Sequence, residues 1–125
     1  MVNLEEEARK FMQSKNKSMI TADEYQEKAK ATAIYPKKDA LPYLALGLGS
    51  EAGEVSGKIK KLIRDGTQSD VASEIGDVLW YCAMLASEMN ISLGKIMEGN
   101  LDKLYDRKER GKLPASGATH SQRTP

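Results

Sequence analysis

Apolar residues along this chain recur at intervals of three and four, the spacing that gives an α-helix one buried face. The alternating pattern that is typical of strands is nearly missing. Residues that start or stop helices fall between the periodic runs, and the predicted connections are short. The pattern therefore predicts an all-α fold, a four-helix-type bundle whose neighbouring helices run antiparallel.

The predicted helices have recognisable ends. Thr21 and Glu24 have the spacing of a capping box, Gly66 is a typical C-terminal stop, and Ser92 is a typical N-cap. A short charged segment at residues 4–13 is also predicted to be helical. The four long helices are predicted at residues 21–33, 42–64, 70–89 and 92–111.

The chain has 125 residues, which favours one domain. We expect a charged helical segment at residues 1–20, a catalytic helical domain at residues 21–113 and a flexible tail at residues 114–125. His120, the single histidine, falls in that tail and is interpreted as solvated.

Charge and cysteine usage narrow the function classes. Nineteen Lys and Arg residues nearly balance 18 Asp and Glu residues, for a net charge of +1, so the composition favours neither a nucleic-acid nor a membrane partner. Cys82 is the single cysteine and lies in an apolar stretch, which indicates a small buried thiol and excludes a disulfide framework. No apolar run approaches the ~18 residues of a membrane span. We expect a soluble cytoplasmic protein.

Two pairs of acidic residues stand out from the other charges. Glu51 and Glu54 are three apart, as are Glu74 and Asp77, and this spacing places both members of a pair near one helix face. Each pair supplies the only charges of a long apolar run, at residues 40–57 and 71–87 respectively. The repeated isolation predicts that the two pairs face each other between packed helices.

Carboxylates in apolar surroundings must take up protons, pair with cations or bind metal. An all-oxygen ligand set without Cys or His favours Mg²⁺, with Mn²⁺ as a substitute and Ca²⁺ as an alternative. Ion pairing with basic residues of the second long helix is the competing interpretation. Those residues are Lys58, Lys60, Lys61 and Arg64.

The last predicted helix carries an amide and several cations at intervals of three and four, namely Asn100, Lys103, Arg107 and Arg110. Beside a carboxylate-bound metal, such a stripe suits a polyphosphate, because arginine offers paired donors and lysine a mobile charge. Ion pairs with acids of the same helix are the alternative.

At these residues the chain resembles the MazG-like nucleoside triphosphate pyrophosphohydrolases, an all-α superfamily that includes dimeric dUTPases and dCTP pyrophosphatases. The family motif E-x-x-E followed by E-x-x-D reads here as Glu51-Ala-Gly-Glu54 and Glu74-Ile-Gly-Asp77. The resemblance covers about residues 21–113. It extends to Gly76-Asp77-Val78-Leu79-Trp80-Tyr81 and to the stretch from Asn100 to Gly111. Many members carry two adjacent acids at the first motif, where this chain has Ser50 before Glu51, so the number of bound ions stays open.

The resemblance implies hydrolysis of (deoxy)nucleoside triphosphates to a monophosphate and pyrophosphate, as nucleotide-pool housekeeping. It implies that Glu51, Glu54, Glu74 and Asp77 hold Mg²⁺ and that Glu51 or Glu54 is the general base. It also implies a homodimer or homotetramer. The implied substrate-binding residues are Lys58, Lys61, Asn100, Lys103 and Arg107 for phosphates or ribose, and Gln26 and Trp80, with Tyr25, for the base.

Two other functions fit the same pattern. A regulatory module would keep the bundle and the metal but bind nucleotides without hydrolysis. A purely structural bundle would use the acids in ion pairs, and Mg²⁺ would then leave its melting temperature unchanged.

Overall fold

The structure is a computed structural model that describes residues 4–13, 19–66 and 70–111. Within these ranges it is helical and contains no strand, which confirms the predicted all-α class. The predicted tail at residues 114–125, with His120, lies outside the described residues. In chain order the helices are α1 (Leu4–Met12), α2 (Ala22–Lys30), α3 (Ala40–Asp65), α4 (Val71–Glu88) and α5 (Leu93–Glu109).

Local side chains set the helix ends that the sequence predicted. Thr21 Oγ1 accepts a hydrogen bond from the Glu24 N–H at 3.1 Å, and the Glu24 carboxylate accepts one from the Thr21 N–H at 2.8 Å, so the capping box is confirmed. Ser92 Oγ accepts a hydrogen bond from the Lys95 N–H at 2.9 Å at the start of α5. Gly66 follows α3 with a φ of 66°, a left-handed conformation that favours glycine.

The segment between α2 and α3 differs from the prediction. The α-helix ends at Lys30 and not at Ala33, because the chain tightens there, with the Thr32 N–H bonded to the Ala29 carbonyl oxygen at 2.9 Å. A 3-10 turn at Lys37–Asp39 then leads into α3. The sequence analysis did not predict this turn.

Helix α4 is the centre of the packing and contacts α1, α2, α3 and α5, with its largest contact against α3. Leu44 of α3 and Met84 of α4 are fully buried between these helices. Among the described residues, the main cluster of buried hydrophobic side chains is made of Ala29, Tyr35, Ala40, Leu44, Ala83 and Met84.

One face of α4 is left partly exposed by the residues that the structure describes. The pattern predicted a buried helix, yet Ile75 is 48% exposed and Leu79 is 50% exposed. Met97 and Leu101 of α5 are also exposed. Within the described ranges, no helix is both long and apolar enough to cross a membrane.

Helix α2 holds the turn between α4 and α5 through Gln26, which is 8% exposed. Its side-chain oxygen accepts a hydrogen bond from the Leu93 N–H at 2.7 Å. Its amide nitrogen donates to Ser87 Oγ and to the Ile91 carbonyl oxygen, each at 3.1 Å. These three hydrogen bonds engage the side-chain amide of Gln26 within the fold.

Helix α1 is joined to the first turn of α4. Glu7 Oε1 accepts hydrogen bonds from the N–H groups of Val71 at 2.8 Å and Ala72 at 3.2 Å. The carboxylate of Asp70, at the N-cap, accepts one from the Ser73 N–H at 3.3 Å. The helix that carries Glu74 and Asp77 is therefore capped both locally and from a distant segment.

Candidate metal and nucleotide site

Three of the four carboxylates predicted as metal ligands converge between α3 and α4. Each of Glu51, Glu74 and Asp77 offers a carboxylate oxygen, and these oxygens lie within 4.8 Å of one another. Glu51 and Glu74 are half-buried, whereas Asp77 is exposed. The group is thus open to solvent on one side, and it is less buried than the surrounding apolar sequence predicted.

Glu54, the fourth predicted ligand, lies outside this group and is exposed. It follows Glu51 on α3 by three residues, which places it about 60° around the helix axis from Glu51. The same spacing brings Glu74 and Asp77 of α4 into one group, so the orientation of each helix, and not spacing alone, decides which acids converge.

Burial and acidic neighbours both affect the pKa of the Glu51 carboxyl. Its pKa is raised, first because burial disfavours the charged form and then because Asp77, Glu74 and Glu54 are negative neighbours. Glu54 is therefore close enough to act electrostatically although it lies outside the converging group. The excess negative charge favours a cation at this position.

Lys58 forms an ion pair with one member of the group. Its Nζ lies 3.6 Å from Glu74 Oε2, with the Lys58 side chain 31% and the Glu74 side chain 17% exposed. The pair supports part of the competing interpretation, in which the acids are ion-paired. One ammonium group does not balance three carboxylates, however. Arg64, another predicted partner, pairs with Asp65 at 2.7 Å.

A pocket of about 290 Å³ opens beside the carboxylates and is lined by Thr32, Glu51, Asp77, Trp80 and Tyr81. Acidic and aromatic residues thus share one cavity. This arrangement places groups that can hold a cation next to a surface on which a planar ring can stack.

The aromatic side of the pocket is held by side chains of α4 and of the segment between α2 and α3. Trp80 meets Tyr81 edge-on at a centroid distance of 5.0 Å and Tyr35 edge-on at 6.4 Å. Its indole N–H donates a hydrogen bond to Thr32 Oγ1 at 2.8 Å. Gly47 of α3 leaves room for Tyr81, because an added Cβ would lie 2.7 Å from the Tyr81 Cδ1 atom.

Among the predicted substrate-binding residues, Trp80 lines the pocket and Lys58 contacts the carboxylate group. Gln26 does not line this pocket, and its amide is engaged within the fold. The others, which are also outside the pocket lining, are Lys61 on α3 and Asn100, Lys103 and Arg107 on α5. Their binding roles stay predictions.

The sequence analysis assigned no role to Thr32 or to the Tyr81 ring. Both line the pocket. Tyr81 follows Asp77 by four residues on α4, so the helical period offered a signal for it. Thr32 lies just past the end of α2, and its place in the pocket depends on how α2 packs on α4.

The arrangement of paired acids on two adjacent helices agrees with a comparison of the whole sequence with known families. A family model described as the MazG nucleotide pyrophosphohydrolase domain matches residues 41–111, more than half of the chain. The chain belongs to this family. The match includes all four motif carboxylates, whereas α1, α2 and Thr32 precede it.

A phage protein is similar to this MazG-family chain over most of its length. It is the Gene 37 protein of Mycobacterium phage L5, which is 40% identical over an alignment of 108 residues. The match covers 76% of this chain and 95% of the phage protein. No solved structure matches the chain significantly.

Proposed function

We propose that this MazG-family protein hydrolyses (deoxy)nucleoside triphosphates to nucleoside monophosphates and pyrophosphate, with Mg²⁺ as its cofactor. The observation that carries the proposal is the convergence of Glu51, Glu74 and Asp77 beside a pocket with an aromatic wall. Membership of a nucleotide pyrophosphohydrolase family supports the reaction type.

The residues present fit a hard divalent cation. Three carboxylate groups lie within reach of one another, and the pKa of Glu51 is raised by burial and by these acidic neighbours. Oxygen ligands of this kind suit Mg²⁺, with Mn²⁺ as a substitute. Bound there, the ion would neutralise phosphate charge and activate the water whose in-line attack on phosphorus breaks the anhydride bond between the α- and β-phosphates.

The chain's own side chains supply the remaining roles. Glu54 either joins the ligand set or accepts the proton of the attacking water. Glu51 is the other candidate for this proton-accepting role. The exposure of Glu54 supports a role toward solvent and substrate. Trp80 offers a face for the base, and the phosphates and ribose are contacted by Lys58, Lys61, Asn100, Lys103 and Arg107.

We further propose that copies of the chain associate as a homodimer or homotetramer of antiparallel helical bundles. Ile75 and Leu79 of α4 and Met97 and Leu101 of α5 leave an apolar face open, and covering it would remove that area from water. The protein would act in the cytoplasm on the nucleotide pool, without a nucleic-acid or membrane partner.

The proposed reaction is tested by incubating the full-length protein with each of the eight common nucleoside triphosphates and Mg²⁺, and by measuring pyrophosphate and monophosphate. We expect release from at least one substrate and loss of release in Asp77→Asn and Glu54→Gln. Asp102→Asn, which changes an exposed acid of α5, is the matched control and should retain turnover. Undiminished release by Asp77→Asn would contradict the proposal.

Nucleotide binding without turnover would identify the alternative function as a regulatory module. The other alternative, a purely structural bundle, is tested by measuring the melting temperature during a Mg²⁺ titration. A cation that binds only the native state raises stability by about 2.7 kcal/mol at 100 times its Kd. We expect such a rise in the wild type and a smaller one in Asp77→Asn. An unchanged melting temperature in the wild type would favour the bundle with ion-paired acids.

A further inference from the structure

The hydroxyl of Thr32 connects α2 to the aromatic wall of the pocket. It donates a hydrogen bond to the Ala29 carbonyl oxygen at 2.7 Å and accepts one from the Trp80 indole N–H at 2.8 Å. Because its proton is directed into the last turn of α2, the oxygen lone pairs are left to face the indole. Both hydrogen-bonding functions of the hydroxyl are thus in use.

The position of Trp80 is constrained on its other sides by aromatic rings. Tyr35 and Tyr81 meet the indole at interplanar angles of 85° and 80°. The χ2 torsion of tryptophan has broad energy wells, and edge-on ring contacts define it less sharply than a hydrogen bond does. The hydrogen bond to Thr32 is directional and therefore selects one indole orientation.

We propose that Thr32 is a positioning residue, which sets the plane of the Trp80 indole and so tunes the affinity of the pocket for the base of a nucleotide. This inference rests on the proposed function for the identity of the ligand. Thr32 itself is not proposed to touch the reacting phosphates. It precedes the segment matched by the family model, residues 41–111, so the role belongs to the part of the chain outside that match.

The test compares Thr32→Val, which keeps the shape but removes the hydroxyl, with Thr32→Ser, which keeps the hydroxyl. Trp80 is the single tryptophan of the chain, so the fluorescence emission and anisotropy of the protein without nucleotide report on this indole alone. We expect Thr32→Val to shift the emission and lower the anisotropy, and Thr32→Ser to resemble the wild type.

The kinetic arm measures KM and kcat separately with the best substrate. Loss of one hydrogen bond predicts that Thr32→Val raises KM about two- to tenfold, with kcat changed less than twofold. Thr32→Ser should restore the wild-type KM. Ser56→Ala is the matched control, because it removes a hydroxyl of α3 that donates to the Ala52 carbonyl oxygen of the same helix, at 3.4 Å. Circular dichroism and urea unfolding verify that each variant is folded.

Unchanged fluorescence and KM in Thr32→Val would overturn the proposal, and so would a fall in kcat at constant KM. If the wild type releases no pyrophosphate, Trp80 fluorescence titrated with a non-hydrolysable triphosphate replaces the kinetic arm. A weaker Kd in Thr32→Val alone would then support the positioning role while the hydrolytic function fails. Absence of any binding would overturn both.

Discussion

The Nζ atom of Lys58 lies 3.6 Å from Glu74 Oε2, so an ammonium group occupies one edge of the carboxylate group. A divalent cation bound by the same carboxylates would be repelled by this ammonium at close range. The lysine side chain is long and mobile enough to move toward an arriving phosphate. Lys58 is therefore expected to oppose the metal in the absence of substrate and to favour the complex in its presence.

Replacement of this lysine should separate the two effects. We expect Lys58→Met to strengthen Mg²⁺ binding about two- to fivefold, since a partly exposed ion pair contributes at most about 1 kcal/mol, and to raise KM for the nucleotide. Calorimetric Mg²⁺ titration and steady-state kinetics measure the two quantities. Lys60→Met, on an exposed position of α3, is the control. Weaker Mg²⁺ binding in Lys58→Met would contradict this role.

Two glycines of α3 should respond in opposite directions to alanine. At Gly47 an added Cβ would overlap the Tyr81 ring, whereas at Gly49 it would meet nothing within 4 Å. Overpacking should make Gly47→Ala less stable by about 1–3 kcal/mol. Gly49→Ala should be more stable by up to about 1 kcal/mol, because alanine favours the helix. Urea unfolding of the two variants measures the difference, and equal effects would show that Tyr81 yields freely.

The contact between Tyr35 and Glu88 predicts a pH-dependent contribution to stability. The buried Tyr35 hydroxyl donates to the Glu88 carboxylate, and Lys37 Nζ lies 3.5 Å from the same group. The hydrogen bond from Tyr35, followed by the charge of Lys37, lowers the pKa of Glu88 from its ordinary 4.5. The stabilisation that the ionised Glu88 carboxylate contributes to the fold is therefore present above pH 4.5 and is lost as the pH falls through the pKa of Glu88 in the folded state.

Tyr35→Phe should accordingly cost about 1 kcal/mol at neutral pH and less below the ordinary Glu pKa of 4.5. Burial and the Glu88 contact also raise the pKa of Tyr35 to about 12, so this contribution declines as the pH rises from 10 toward 12. Urea unfolding across these pH values tests both limbs. Tyr105→Phe, at a ring that is 60% exposed, is the control, and a pH-independent difference would refute the argument.

Gln26 is expected to stabilise the fold through its hydrogen bonds, independently of any contact with substrate. Gln26→Leu removes a donor and an acceptor from the turn between α4 and α5 and should cost about 1–3 kcal/mol. Lys28→Leu, an exposed neighbour on α2, should have a small effect in the same denaturation experiment. Similar losses in the two variants would mean that the three hydrogen bonds contribute little.

The predictions that the structure confirms concern features with local causes. The capping box at Thr21 and the Ser92 cap involve residues three apart, so chain order alone contains the information. The glycine after α3 likewise needs only its own conformation. The helix class and most helix ends followed from such signals.

Features that depend on packing were harder to predict. Spacing placed Glu51 with Glu54, but the rotation of α3 against α4 brings only Glu51 into the group with Glu74 and Asp77. Thr32 reaches Trp80 across 48 residues of chain, and no periodic pattern encodes that contact. The family resemblance implied that Gln26 contacts the base, and nothing in the sequence indicated that its amide also bonds within the fold.

The contact of Glu7 with the first turn of α4 joins a helix outside the family match to the helix that carries Glu74 and Asp77. Removal of the first dozen residues would leave the N–H groups of Val71 and Ala72 without this acceptor, one turn before Glu74. We expect fraying there to loosen the position of Glu74, so an expression boundary drawn at residue 21 or 41 should weaken cation binding at the proposed site without removing a proposed ligand.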